Sequence, residues 1–90
     1  MSLNESYRKD LDNVVTDPDL KDKPLMIFYQ MMHVALTYGK LTELQKRTGF
    51  SYSTLANWLY SGVMPNATNF IKALSAMGYD VKIVKRSENV

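Results

Sequence analysis

The chain has 90 residues, 46% of them apolar, which suits one packed domain and argues against disorder over most of its length. It holds no cysteine, which excludes disulfides and thiolate zinc sites, and its longest apolar run falls far short of the roughly 18 residues of a membrane span. The net charge of +2 is unevenly divided: residues 1–39 carry four basic groups against six acids and residues 40–90 carry seven against three, so an anionic partner is expected for the second half.

Residues 2–15 read as a short amphipathic helix. Ser2 and Glu5 have capping-box spacing, and Leu3, Tyr7, Leu11, Val14 and Val15 fall on one side. Two prolines and alternating charges make Thr16–Pro24 a linker. The most apolar helix follows, with Pro24 in its first turn, Asp22 as its cap, and Leu25, Phe28, Met32, Ala35 and Leu36 as its core face. Met26, Ile27, Tyr29, Met31 and Val34 spill around its sides, so it must bury more than one stripe, under the first helix or another subunit. Gly39 ends it.

Thr42–Thr48 is a short helix with Leu41 and Leu44 facing inward, stopped by Gly49. Ser51 caps the next helix, which runs to about Tyr60 with Leu55, Trp58 and Leu59 inward. Gly62 and Pro65 bracket a loop. A further helix starts at Asn66 or Thr68, buries Phe70, Ile71, Leu74 and Met77, and closes at Gly78. In Tyr79–Arg86, Tyr79, Val81 and Ile83 alternate with Asp80 and Lys82, which is a strand pattern.

A helix of about seven residues, a glycine turn and a serine-capped second helix make a helix-turn-helix unit. Over roughly residues 25–84 the pattern Leu44, Gly49, Phe50, Ser51, Leu55, Trp58, Gly62, Pro65, Leu74 and Gly78 resembles the lambda-repressor/Cro family of regulators, also called the xenobiotic-response-element type. Gln45 stands where that family prefers a small residue, Thr48 where it has a large apolar one, and Leu41 where a phosphate-touching Gln is frequent. The resemblance implies a mostly α fold, a lambda-repressor-like bundle of four to five short helices with a C-terminal β-strand. Its parts would be an amino-terminal helix and linker (1–24), a DNA-binding domain (25–78), a strand (79–86) and a tail (87–90).

The implied function is sequence-specific binding of double-stranded DNA by a repressor-like bacterial or phage regulator. At 100° per residue, Ser53, Asn57 and Tyr60 point outward with Ala56 beside them, and Ser51 and Tyr52 sit at the leading end of the recognition helix. Asn57 has the donor–acceptor pair that reads adenine, Ser53 serves either base type, and Ala56 leaves room for a thymine methyl. Phosphate contacts are expected from Lys40, Thr42, Lys46 and Arg47, with free N–H groups at the helix amino ends helping. Lys72 reads as a solvated surface group.

So few phosphate contacts would bind weakly, so a homodimer is expected. The lone strand offers a route by antiparallel pairing through Tyr79, Val81 and Ile83, as in Cro-like relatives; docking on its own helices is the alternative. Lys82, Lys85 and Arg86 would line the ribbon or protect its edge. No catalytic set, cofactor loop or metal spacing is present, and His33 reads as a partly buried structural histidine, so no enzyme, cofactor or metal is expected. Asp17, Asp19 and Asp22 lack the glycine and closing glutamate of a calcium loop. Nothing resembles a secretion signal, and a cytoplasmic location is expected. The competing expectation is an antitoxin-type module that binds a protein partner through its amino-terminal helices.

Overall fold

The side chain of Ser2 accepts a bond from the Glu5 N–H at 3.1 Å and starts the first helix, α1, Leu3–Val15. In the computed structural model, which describes residues 2–85, four more α-helices follow: α2 (Pro24–Thr37), α3 (Leu41–Thr48), α4 (Tyr52–Tyr60) and α5 (Ala67–Ala76). The expected linker contains one 3-10 turn, Pro18–Leu20, opened by the Asp17 side chain and burying Leu20. Asp22 does not cap α2: the residue before Pro24 is Lys23, and no side chain satisfies that helix start. Pro24 at the first position has no N–H to satisfy, which lowers the need for a cap.

The core lies where α1, α4 and α5 close on α2. Leu11, Met31 and Ala35 are 0% exposed, and Tyr7, Phe28, Met32, Leu55, Trp58, Leu59, Ala73, Leu74 and Met77 join them. A run of aromatic pairs ties the elements together. Phe50 meets Trp58 edge-on at 5.2 Å, Trp58 meets Phe28 at 5.7 Å, and Phe28 meets Phe70 at 5.2 Å. The buried face of α2 therefore turns toward Met31 and away from Leu25, which is 45% exposed. On α5, Ala73 takes the inward place expected of Ile71, which is 48% exposed. Ala73 gives the close approach that a bulkier side chain there would prevent.

The two short helices expected on either side of Gly49 form. Gly49 closes α3 at φ 79°, its N–H on the Gln45 carbonyl at 2.8 Å, and Ser51 opens α4 by accepting from the Thr54 N–H at 3.2 Å. Thr48 is the one buried polar residue among those described. Its hydroxyl donates to the Leu44 carbonyl at 2.6 Å and accepts from the Phe50 N–H at 3.2 Å, so a threonine fits where an apolar residue was expected. A Cβ at Gly49 would meet no neighbour, so the cost of Gly49→Ala is purely backbone strain, about 1–2 kcal/mol. That corresponds to a fall in melting temperature of about 4–16 °C in a domain of this size, measured by circular dichroism.

Residues 79–85 do not form the expected strand. A strand needs a ladder partner for its N–H and C=O groups, and no other described segment of this chain supplies one. Val81, Ile83 and Val84 stay exposed, while Tyr79 is half-buried and donates its hydroxyl to Asp12 of α1. Arg86 and the tail lie outside the described residues. Burial, followed by the bond to Asp12, pushes the Tyr79 hydroxyl up to about 12. A raised folded-state value stabilises the fold fully below the tyrosine's ordinary value of 10.0, and that stabilisation fades as pH rises toward about 12. Tyr79→Phe is accordingly expected to flatten the alkaline fall in stability over that window, read from urea midpoints at successive pH values.

Candidate nucleic-acid interface

The second helix of the motif, α4, buries Leu55, Trp58 and Leu59 and leaves the rest of its surface free. Ser53, Asn57 and Tyr60 fall at i, i+4 and i+7 on one exposed stripe, with Tyr52 exposed and Ala56 half-buried alongside. Among the described residues none of these side chains has an intramolecular hydrogen bond. Tyr60 is 60% exposed and Tyr52 54%.

Ser51 behaves differently from the rest of the expected base-contact set. Its hydroxyl is committed to the Thr54 N–H and lies 3.0 Å from the Thr54 hydroxyl. Capping leaves the N–H groups of Tyr52 and Ser53 at the free amino end of α4. No acidic residue stands in the first turn of α4 or of α5, so both helix starts keep their positive potential. Between Arg47 and Lys72 the chain has no charged residue at all. The surface formed by α4 and the loop after it is thus neutral, with hydroxyl, amide and apolar groups.

The expected phosphate contacts divide in two along α3. Thr42 and Lys46, at i and i+4, are exposed, with no hydrogen bond or ion pair among the described residues. Lys40 and Arg47 lie on the other flank, and each is paired within the chain. The Lys40 ammonium donates to Asn4 at 2.7 Å and stands 3.7 Å from Glu43. Arg47 meets Glu43 at 2.7 Å and donates to the Ala76 carbonyl at 3.1 Å, capping the carboxyl end of α5. Lys72, read from sequence as an ordinary surface group, stands over the Phe50 ring at 5.3 Å, beside the turn that leads into α4. Only its place on α5, not its spacing from Phe50, was visible in the sequence.

His33 is half-buried, edge-on to Tyr29 at 4.5 Å, and far in sequence from the other groups of this surface. No described helix is long and apolar enough to cross a membrane. Comparison of the chain with protein-family models, with curated proteins and with solved structures found no match.

Proposed function

We propose that the protein is a sequence-specific double-stranded DNA-binding regulator, repressor-like and of lambda-repressor/Cro type, with α4 entering the major groove. The observation that carries this reading is the exposed, unengaged stripe Ser53–Asn57–Tyr60 on the second helix of a glycine-turned, serine-capped pair. Phosphate oxygens would meet the free N–H groups of α4, the amino end of α5, and the side chains of Thr42, Lys46 and Lys72. Such a set supports modest affinity in one protomer. A homodimer is therefore part of the proposal, with exposed Val81 and Ile83 as interface candidates; Tyr79, held by Asp12, is spent within the protomer.

The test is fluorescence polarisation of labelled duplexes, enriched from a random pool, across a salt series. Affinity should fall as salt rises, and Lys46→Gln should weaken all duplexes alike while reducing the salt slope by about one. Absence of binding at every salt concentration, or binding with no sequence preference, overturns the reading.

A second reading, a module that docks a protein partner through its first helices, draws on the exposed Leu25, Met26 and Tyr29 of α2. A stoichiometric partner that co-purifies from the native host, and is lost on Met26→Glu, would favour it.

A further inference from the structure

A cavity of about 370 Å³ lies between α1, the tied flank of α3 and the carboxyl end of α5. Asn4, Tyr7, Arg8, Lys40, Glu43 and Arg47 supply its polar lining. These residues come from elements far apart in sequence, brought together because α1 packs across α2 and reaches the end of α5. Arg8 donates to the Met77 carbonyl at 2.5 Å and stands 5.3 Å over the Tyr79 ring. Gly78 leaves the room for it: a Cβ there would run into the guanidinium.

Three cations against one carboxylate leave a net charge of +2 around the cavity. The internal bonds do not use up its donors. Among the described residues, the second terminal nitrogen of Arg8, the amide nitrogen of Asn4 and the Tyr7 hydroxyl have no partner. The Tyr7 hydroxyl is a donor near neutrality at its ordinary value of 10.0, and burial pushes that value further up. Lys40, which leads into α3, lines the cavity, and that helix start has no side-chain cap, so its dipole adds to the positive potential.

We propose that this cavity binds a small-molecule phosphate monoester. A monoester carries close to two negative charges at neutral pH and three strong acceptor oxygens, matching both the charge left by Arg8, Lys40, Arg47 and Glu43 and the spare donors around it. A carboxylate would leave one positive charge uncompensated. A DNA backbone phosphate, a diester, also carries only one charge. The volume lies near the lower end of the range for small-ligand pockets, which suits a short polar ester and not a dinucleotide. Glu43, already shared by Lys40 and Arg47, remains as acceptor for a hydroxyl on the ester's carbon chain.

The experiment is a heteronuclear NMR titration of the full chain with glycerol 3-phosphate near neutral pH. Saturable amide shifts are expected at Asn4, Tyr7, Arg8 and the Lys40–Arg47 segment, with acetate about tenfold weaker. Lys40→Gln and Arg47→Gln should each weaken the ester by about tenfold while the remaining spectrum stays folded, and Lys21→Gln should leave it unchanged. Arg8 is not used as the primary variant because its guanidinium, lodged against Gly78, holds both the Met77 carbonyl and the Tyr79 ring, so its loss would disturb the fold. Shifts that never saturate, that scatter over the surface, or that survive both substitutions overturn the proposal. So does displacement of the ester by a duplex without terminal phosphates, which would assign the cavity to a DNA backbone.

Discussion

Replacing Leu11 with alanine is expected to destabilise the protein by about 2–5 kcal/mol, a large share of the roughly 5–15 kcal/mol that holds a small domain together. Leu11 lies on α1, in the segment that the sequence pattern sets apart as a helix and linker before the DNA-binding domain. It is nevertheless 0% exposed and belongs to the same buried cluster as Met31, Ala35, Leu55 and Leu59. Truncation would open a cavity in a core that close packing keeps free of voids. In urea the midpoint should fall with the slope unchanged, since the surface exposed on unfolding is nearly the same. A loss below about 1 kcal/mol would mean that the site relaxes freely and that α1 is an appendage. Polar ties reinforce the packing: Tyr38 donates to Asp10 at 2.5 Å and Lys40 to Asn4 at 2.7 Å.

The second large effect is on recognition. Asn57→Ala is expected to cost about 1–3 kcal/mol on the preferred duplex and nearly nothing on unrelated DNA. Asn57 is exposed, mid-stripe on α4, and its side-chain amide has no intramolecular partner among the described residues. A bidentate pair with adenine needs both its donor and its acceptor, and alanine removes both. The fold should be untouched: the Asn57 carbonyl, which accepts from the Ser61 and Val63 N–H groups at 3.1 and 3.3 Å, is backbone and survives the substitution. Equal loss on all duplexes would point to a phosphate contact instead.

The α3–Gly49–α4 unit was legible because its signals are local. A glycine with φ 79° and a serine cap act within a few residues, and Leu55, Trp58 and Leu59 keep strict helical spacing. What the sequence hid depends on distant partners. Leu25 matches the periodicity of α2 yet is 45% exposed, while Met31, on the flank by spacing, is 0% exposed, because the neighbours packed on that helix set which side is deep. The alternation of Val81 and Ile83 is real, but alternation alone makes no strand without a second edge. Of the expected phosphate contacts, Lys40 and Arg47 are tied by Asn4, Glu43 and the Ala76 carbonyl, which spacing along α3 could not reveal.

The exposed stripe Ser53–Asn57–Tyr60 lacks arginine and lysine, so the bidentate reading of guanine would be closed to it. The account therefore predicts A·T pairs opposite Asn57 and Ala56. The most direct test is parallel enrichment of a random duplex library by the wild-type protein and by Asn57→Ala. The wild type should enrich one motif with adenine at a defined position, and the variant should keep the motif but lose that adenine. An identical motif from both proteins, a G·C pair fixed at that position, or no enriched motif from the wild type would contradict the assignment of α4 as the reading helix.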